Sequence, residues 1–102
     1  MELKDRKTKI SLSTYDVEFV DKIEVDRGFR WGQCDTSNKI ITIATRKRNG
    51  KRVTEDELKS IYYHELVHAI LDEGQYCKLS FNEPLVEWVA ICLLQLSKQK
   101  AL

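Results

Sequence analysis

The segment over residues 54–74 constrains the fold most, because it carries the signals of a long helix with apolar residues on most of its circumference. Thr54 and Glu57 have the spacing of a capping box, and acidic residues fill the first turn, where the helix dipole favours negative charge. Apolar residues then recur every three or four positions, at Leu58, Ile61, Tyr62, Leu66, Ala69 and Ile70. Gly74 is expected at C′. The pattern predicts a central helix of about 19 residues.

Both histidines of the chain lie in this segment, four residues apart, and Glu65 directly follows the first of them. Because an α-helix turns about every 3.6 residues, His64 and His68 share a face and can reach one metal ion. Neutral imidazole is a good ligand for Zn²⁺, which activates water for hydrolysis. Glu65 is the expected general base, taking a proton from water and passing it to the leaving amine. A histidine pair also occurs by chance on helices, but the glutamate and the helical context favour a zinc site.

A catalytic zinc site needs a third protein ligand, and the chain has no third histidine. Glu83 and Glu87 stand one turn apart at the start of a second predicted helix, which Pro84 opens. If the two helices pack antiparallel, one glutamate would bind zinc and the other would orient a ligand imidazole. Either could instead be a solvated first-turn residue. Cys77, in the short link between the helices, is an alternative ligand.

The HELVH pentapeptide, followed by a glutamate pair in the next helix, resembles the zincin metallopeptidases whose third ligand is a glutamate. A looser pattern that runs from WGQCD at residues 31–35 to EPLVE at residues 83–87 resembles small phage and mobile-element metallopeptidases of the ImmA/IrrE type. The resemblance implies that His64 and His68 bind zinc and that Glu65 is the base. It also implies that Glu83 is the third ligand and that Glu87 orients a ligand imidazole. Residue 87 is a glutamate where that family has asparagine, so the exchanged assignment stays open.

The first half of the chain predicts strands. Apolar and polar residues alternate over residues 15–19 and 29–31, a β-branched run covers residues 39–45, and a short strand is expected near residues 10–12. The sequence therefore predicts an α+β fold, in which a small, mostly antiparallel sheet packs on the central HExxH helix and a second, C-terminal helix. A chain of 102 residues is in the usual range for one domain, so a single domain over residues 1–102 is expected.

The resemblance also implies where a substrate binds. In zincins similar to this chain, the strand before the active-site helix lies at the edge of the cleft and pairs with an extended substrate. Substrate binding through backbone groups is therefore expected along Ile40, Ile41, Thr42, Ile43 and Ala44. The alternative is an ordinary sheet strand without a ligand. The resemblance implies a protein substrate such as a DNA-binding repressor, and Tyr76 is a candidate oxyanion partner that no pattern selects.

Charge suggests a second hypothesis for the function. Seventeen basic and sixteen acidic side chains give a net charge of +1, so bulk charge offers no argument for a nucleic-acid partner. A local basic run surrounds an Asn-Gly turn signal, with Arg46, Lys47, Arg48, Lys51 and Arg52. Such a run is commonly a solvated loop, but it can contact phosphates or an acidic protein. The alternative to a peptidase is therefore a non-catalytic, zinc-stabilised binding module that uses this basic loop to contact a protein or nucleic-acid partner.

Location is expected to be cytoplasmic, in the host cell if the chain belongs to a phage. No apolar run at the start of the sequence suggests a signal peptide, and no segment has the length and hydropathy of a membrane span. Cys34, Cys77 and Cys92 have no paired spacing, which is typical of free thiols in a reducing compartment.

Overall fold

The computed structural model of the chain describes residues 4–25 and 28–101, which form six strands and three helices. In chain order the elements are β1 (Arg6–Ile10), β2 (Ser13–Val20), β3 (Ile23–Val25), β4 (Gly28–Arg30), β5 (Gly32–Asp35), β6 (Ile40–Ala44), α1 (Glu55–Glu73), α2 (Cys77–Ser80) and α3 (Glu83–Lys98). The predicted α+β class is confirmed. None of the helices in these residues is long and apolar enough to cross a membrane.

Four strands form the main sheet, in the order β1-β2-β6-β5. The β1–β2 and β5–β6 pairs are antiparallel and the β2–β6 pair is parallel, so the sheet is mostly antiparallel, as predicted. β3 and β4 form a separate antiparallel ribbon. The ribbon and β5 lie between β2 and β6 along the chain, which lets β6 enter the sheet beside β2 in the same direction.

The prediction that Ile40–Ala44 is the edge strand is wrong. β6 pairs with β2 on one side and with β5 on the other, so in the described part of the chain β5 forms one edge of the sheet and β1 forms the other. The turn after β5 reverses the chain, so that β6 lies between β5 and β2. Asp35 accepts hydrogen bonds from the backbone N–H groups of Ser37 and Asn38, and Lys39 takes a left-handed φ of 58°.

Two other predicted strands are shifted. β1 lies at Arg6–Ile10 rather than near residues 10–12, because Ser11, with a φ of 55°, starts the turn into β2. Of the predicted strand over residues 29–31, the first two residues belong to β4, and Trp31 is at the break between β4 and β5. The Trp31 carbonyl still accepts a hydrogen bond from the Ala44 N–H at 2.9 Å, which joins the start of β5 to β6.

α1 is the central element, with one side on the sheet and the other against α3. Tyr15 and Val17 from β2 and Ile41 and Ile43 from β6 are fully buried beneath it. The buried cluster continues through residues of both long helices. They are Leu58, Tyr62, Tyr63, Val67 and Ala69 on α1, and Val86 and Ala90 on α3. Each large apolar side chain buried in this way contributes about 1.5–3 kcal/mol. The packing fixes the rotation of α1, and therefore the direction in which its polar residues point.

Both ends of α1 are capped by the residues around it. Thr54 and Glu57 form the predicted capping box. At the other end the Tyr76 N–H donates to the Leu71 carbonyl at 2.8 Å and the Gln75 N–H donates to Asp72 at 3.0 Å, the pattern of a Schellman motif. The left-handed residue is Gln75, with a φ of 64°, whereas Gly74, predicted at C′, has an ordinary φ of −81°. The motif ends α1 sharply and starts the link to α3.

Glu73 ties the last turn of α1 to the sheet. Its carboxylate accepts hydrogen bonds from Ser13 Oγ at 2.7 Å, Tyr15 OH at 2.8 Å and Lys39 Nζ at 2.6 Å. The bond from Lys39, followed by those from Ser13 and Tyr15, lowers the pKa of Glu73 to about 2. The network holds the C-terminal end of α1 on β2 and on the turn before β6.

Candidate metal centre

α1 and α3 pack antiparallel and bring their polar residues together near the middle of α1. Lys98 at the end of α3 forms an ion pair of 3.1 Å with Asp56 at the start of α1. At the start of α3, Asn82 accepts a hydrogen bond from the Leu85 N–H as the N-cap, and proline follows Glu83 in the first turn. This cap fixes where α3 begins, and it sets Glu83 and Glu87 opposite the histidines of α1.

Three residues predicted as metal ligands converge. The Glu83 carboxylate spans both imidazoles, with Oε2 at 3.2 Å from His64 Nε2 and Oε1 at 3.4 Å from His68 Nε2. One ligand atom from each of the three residues lies within 4.8 Å of the others, so the group is close enough to bind a metal ion. The side chains of His64 and His68 are 23% and 18% exposed, which leaves the group open to a cleft. Cys77 is exposed on α2 and is not part of the group.

The other nitrogen of each imidazole has its own partner. Glu87 Oε2 lies 2.9 Å from His64 Nδ1, and Ser80 Oγ lies 2.9 Å from His68 Nδ1. In the tautomer that leaves Nε2 free for a metal, each Nδ1–H donates to these oxygens. Glu87 therefore takes the orienting position, and Glu83 takes the position facing the Nε2 atoms.

Ser80 is a site residue that the sequence did not reveal. It lies on the four-residue helix α2 and is only 7% exposed, although its neighbours on α2 are exposed. A serine twelve positions after His68 has no spacing that predicts contact with it. The one available signal was its location in the short link that must pass beside the histidine helix.

Glu65 lies beside the metal group and is 8% exposed. No hydrogen bond to its carboxylate occurs among the residues that the structure describes, and the side chain lines the cleft. Burial is the main cause that raises the pKa of Glu65 to about 7; the negative charge of Glu83 acts in the same direction, and His64 and Arg30 oppose it. The carboxylate thus occupies a poorly solvated position that faces the space a substrate would fill.

The cleft runs between β5 and α1 and has two halves that share the wall around Glu65. The apolar half has a volume of about 410 Å³ and the polar half a volume of about 590 Å³. Four residues line both halves: Arg30, Gly32, His64 and Glu65. Trp31, Ser60, Ile61 and Glu87 complete the apolar half, and Gln33, Cys34, His68, Asp72, Ser80, Phe81 and Glu83 complete the polar half. The candidate metal group therefore lies in the polar half, with His64 at the boundary between the two halves.

β5 borders this cleft with an unpaired edge. The hydrogen bond from the Ala44 N–H to Trp31 makes these two residues a bonded pair of the antiparallel ladder. Since bonded and non-bonded pairs alternate, Gly32 and Cys34 turn their N–H and C=O groups away from β6 and toward the cleft. The residues of Ile40–Ala44 do not line the cleft, and three of them are fully buried. Ile40–Ala44 therefore lacks the free edge that its predicted pairing with a substrate backbone requires, because β5 occupies that side.

Gly32 lets β5 approach α1 closely at the level of Glu65. A Cβ at this position would lie 2.7 Å from Ile61 Cγ2 and 3.1 Å from Glu65 Cγ. The lack of a side chain therefore allows the strand edge, the general-base candidate and the apolar half of the cleft to meet.

The remaining candidates lie away from the metal group. Tyr76 is 60% exposed and does not line the cleft formed by the described residues. The basic loop folds as a hairpin closed by a bridge between Arg46 and Arg52, directly before α1. Lys47 reaches Glu57 at 3.5 Å, and Arg46 donates to the Gly50 carbonyl at 3.2 Å. Two of the cationic side chains of the hairpin therefore have partners within the chain.

No protein-family model, curated protein or solved structure matches this chain.

Proposed function

We propose that this protein is a zinc-dependent metallopeptidase that hydrolyses peptide bonds of a protein substrate. The observation that carries the proposal is the convergence of His64, His68 and Glu83, with each imidazole oriented through Nδ1, beside a cleft that also contains Glu65. Two imidazoles and a carboxylate are the ligand set of zinc hydrolases that keep one coordination position open.

The donor atoms fit zinc. Ligands at about 2.0–2.1 Å from a tetrahedral zinc ion stand roughly 3.4 Å from one another. Each imidazole Nε2 has one oxygen of Glu83 at about this separation: Oε2 is 3.2 Å from His64, and Oε1 is 3.4 Å from His68. A nitrogen and carboxylate set without thiolate also suits other divalent transition metals, but zinc is the metal most often bound by such catalytic sites.

Each residue then has a defined task. Zinc bound here would supply a Lewis acid that polarises a carbonyl and activates water. Glu65 accepts the proton of the attacking water and delivers it to the leaving amine. Glu87 and Ser80 hold the two imidazoles in the tautomer that ligation requires. Gly32 and Cys34 on the free edge of β5 pair with the backbone of an extended substrate, in the role first expected of Ile40–Ala44.

The resemblance to ImmA/IrrE-type metallopeptidases extends the proposal to a repressor-like protein substrate in the cytoplasm of a host cell. The second candidate is the zinc-stabilised binding module. Arg48, Lys51 and Arg52 on the basic hairpin are exposed, which supports a contact with an acidic protein or with phosphates. The two functions share the metal and differ in turnover.

Glu65→Gln separates the two functions. With zinc loaded, the variant should lose cleavage of a proteome-derived peptide mixture by at least about 10²-fold, because the carboxylate that accepts the proton is gone. Peptides are identified by mass spectrometry, zinc by elemental analysis, and the fold by circular dichroism. Glu55→Gln, the same change in the exposed first turn of α1, should leave cleavage unchanged. Equal cleavage by wild type and Glu65→Gln would reject the peptidase.

Zinc content tests the ligand set independently of turnover. Purified and dialysed wild type should hold one zinc ion, and Glu83→Ala should lose it. Glu87→Ala should keep the ion with an affinity about 10- to 100-fold weaker, since only the orienting contact to His64 is removed. A Glu83→Ala protein that retains full zinc, beside a Glu87→Ala protein that loses it, would exchange the two roles.

A further inference from the structure

The polar half of the cleft ends at a carboxylate that has no role in the proposed metal site. Asp72 lies on α1 one turn beyond His68 and lines this half. No hydrogen bond or ion pair of its side chain occurs with the other residues that the structure describes. A charged group at the wall of a cleft, without an internal partner, is available to a ligand.

Nearby cations do not neutralise Asp72. Lys39 is held by Glu73 at 2.6 Å. Arg30 lines both halves of the cleft and acts on the charge of Glu65. Among the described residues neither of these cations forms an ion pair with Asp72, so its negative charge faces the cleft.

The other walls suit a long aliphatic stem. Phe81 lines the same half with an 86% exposed side chain. Across the cleft, β5 contributes Cys34, and burial, followed by the charges of Glu65 and Asp72, raises the pKa of this thiol to about 12. The thiol is therefore neutral at physiological pH. An aromatic ring and an uncharged sulfur are apolar surfaces against which methylene groups pack.

We propose that this half of the cleft is a subsite for a lysine or arginine side chain of the substrate, and that Asp72 sets this specificity. The methylene stem packs between Phe81 and Cys34, and the cationic head pairs with the Asp72 carboxylate. The inference rests on the proposed peptidase function, because it assigns one side-chain position of the substrate relative to the metal.

A basic side chain of the substrate fits this subsite better than the terminal amine of a peptide does. The cleft extends on both sides of His64 and Glu65, so a chain lying along β5 can continue past the metal in both directions. A peptide without a free amine should therefore retain the preference.

The first experiment maps cleavage with a randomised library of N-acetylated, C-amidated decapeptides. Zinc-loaded wild type should cut at sites with lysine or arginine at one fixed distance from the scissile bond. For a peptide pair that differs only by lysine or norleucine there, Asp72→Asn should lower kcat/KM about tenfold for the lysine peptide and leave the norleucine peptide unchanged. Asp21→Asn, a matched change at an exposed aspartate outside the cleft, should alter neither.

The second experiment measures binding without turnover. Zinc-loaded Glu65→Gln is titrated into the same two peptides carrying an amino-terminal fluorescein, and anisotropy is recorded. The lysine peptide should bind about tenfold more tightly than the norleucine peptide, and adding Asp72→Asn should abolish the difference. Circular dichroism and zinc content establish that the double variant is folded and loaded.

The two proposals fail in different ways. Cleavage without a basic preference, or a preference that survives Asp72→Asn, overturns the subsite and leaves the peptidase standing. Absent cleavage together with an Asp72-dependent lysine preference in binding supports the subsite and rejects the peptidase. Equal binding of the lysine and norleucine peptides overturns the subsite whatever the outcome for cleavage.

Discussion

Each imidazole of the metal group is held by a different kind of partner on Nδ1. His64 faces the Glu87 carboxylate, which carries a charge, and His68 faces the neutral hydroxyl of Ser80. A charged acceptor strengthens the hydrogen bond and makes the imidazole a more basic ligand. Toward a bound metal the two histidines would therefore be unequal, with His64 the stronger donor.

Removing the Ser80 hydroxyl should weaken metal binding without changing the ligands. In Ser80→Ala the His68 ring loses the acceptor that fixes its tautomer, so zinc affinity should fall roughly tenfold. Competition with a chromogenic chelator measures the affinity. Ser97→Ala, near the far end of α3, is the matched control and should bind zinc as wild type does. Unchanged affinity in Ser80→Ala would show that the hydroxyl is not needed to orient His68.

How far single residues could be predicted depends on whether a spacing rule applies. His64, Glu65 and His68 follow from the geometry of one helix, so the sequence predicts them directly. Glu83 and Glu87 lie on one face of α3, and which of them meets the Nε2 atoms depends on where α3 begins relative to α1. The irregular link that contains α2 sets this position, and no periodic pattern encodes it.

The contact between β5 and α1 depends on the absence of one side chain. Gly32 should not accept alanine, because the new Cβ would lie 2.7 Å from the β-branched Cγ2 of Ile61. We expect Gly32→Ala to lower the free energy of unfolding by about 1–3 kcal/mol. It should also reduce cleavage, since relief of the clash moves β5 away from Glu65. Urea unfolding and peptide cleavage measure the two effects.

Two further variants test this explanation. Ile61→Leu removes the Cγ2 branch, so the Gly32→Ala/Ile61→Leu protein should recover part of the lost stability in a double-mutant cycle. Gly74→Ala should be milder, since its Cβ would approach only the exposed ring of Tyr76, at 3.0 Å, which can move. Strictly additive losses for positions 32 and 61 would exclude the proposed clash.

The elements themselves were more predictable than their order. α1 has its predicted bounds, because its cap and its apolar periodicity are local signals. Alternation likewise predicts β2, and a β-branched run predicts β6. The order β1-β2-β6-β5 is a property of distant pairing, and alternation is the same for an inner and an edge strand that each bury one face. The resemblance to zincins implies that Ile40–Ala44 is the edge, and no local pattern in the sequence corrects this to β5.

For the molecule as a whole, the Glu73 network links helix and sheet and should make folding sensitive to acid. The folded pKa of about 2 lies below the ordinary value of 4.5, so the carboxylate stabilises the fold fully above pH 4.5. That contribution is lost as pH falls from 4.5 to 2. Glu73→Gln should therefore unfold at lower urea than wild type at pH 7, and the gap should close toward pH 2.

Chelator-treated protein is used for this comparison, so that loss of a metal in acid does not contribute. Glu18→Gln, an exposed change on β2, should track wild type across the same pH range. A gap between wild type and Glu73→Gln that stays constant from pH 7 to pH 2 would contradict the depressed pKa.

The shortness of β5 also limits how strongly a second copy of the chain can pair with this edge of the sheet. An uncovered edge strand is a template on which another molecule can add a strand, and this is a common start of aggregation. β5 has four residues, of which Gly32 and Cys34 alone direct backbone groups outward, and the Asp35 turn follows at once. So few hydrogen bonds, each worth only about 0.5–1.5 kcal/mol net, hold a neighbouring molecule weakly. Collisions between copies along this edge should therefore be transient, whereas a ligand whose side chains also fill the cleft should be held longer.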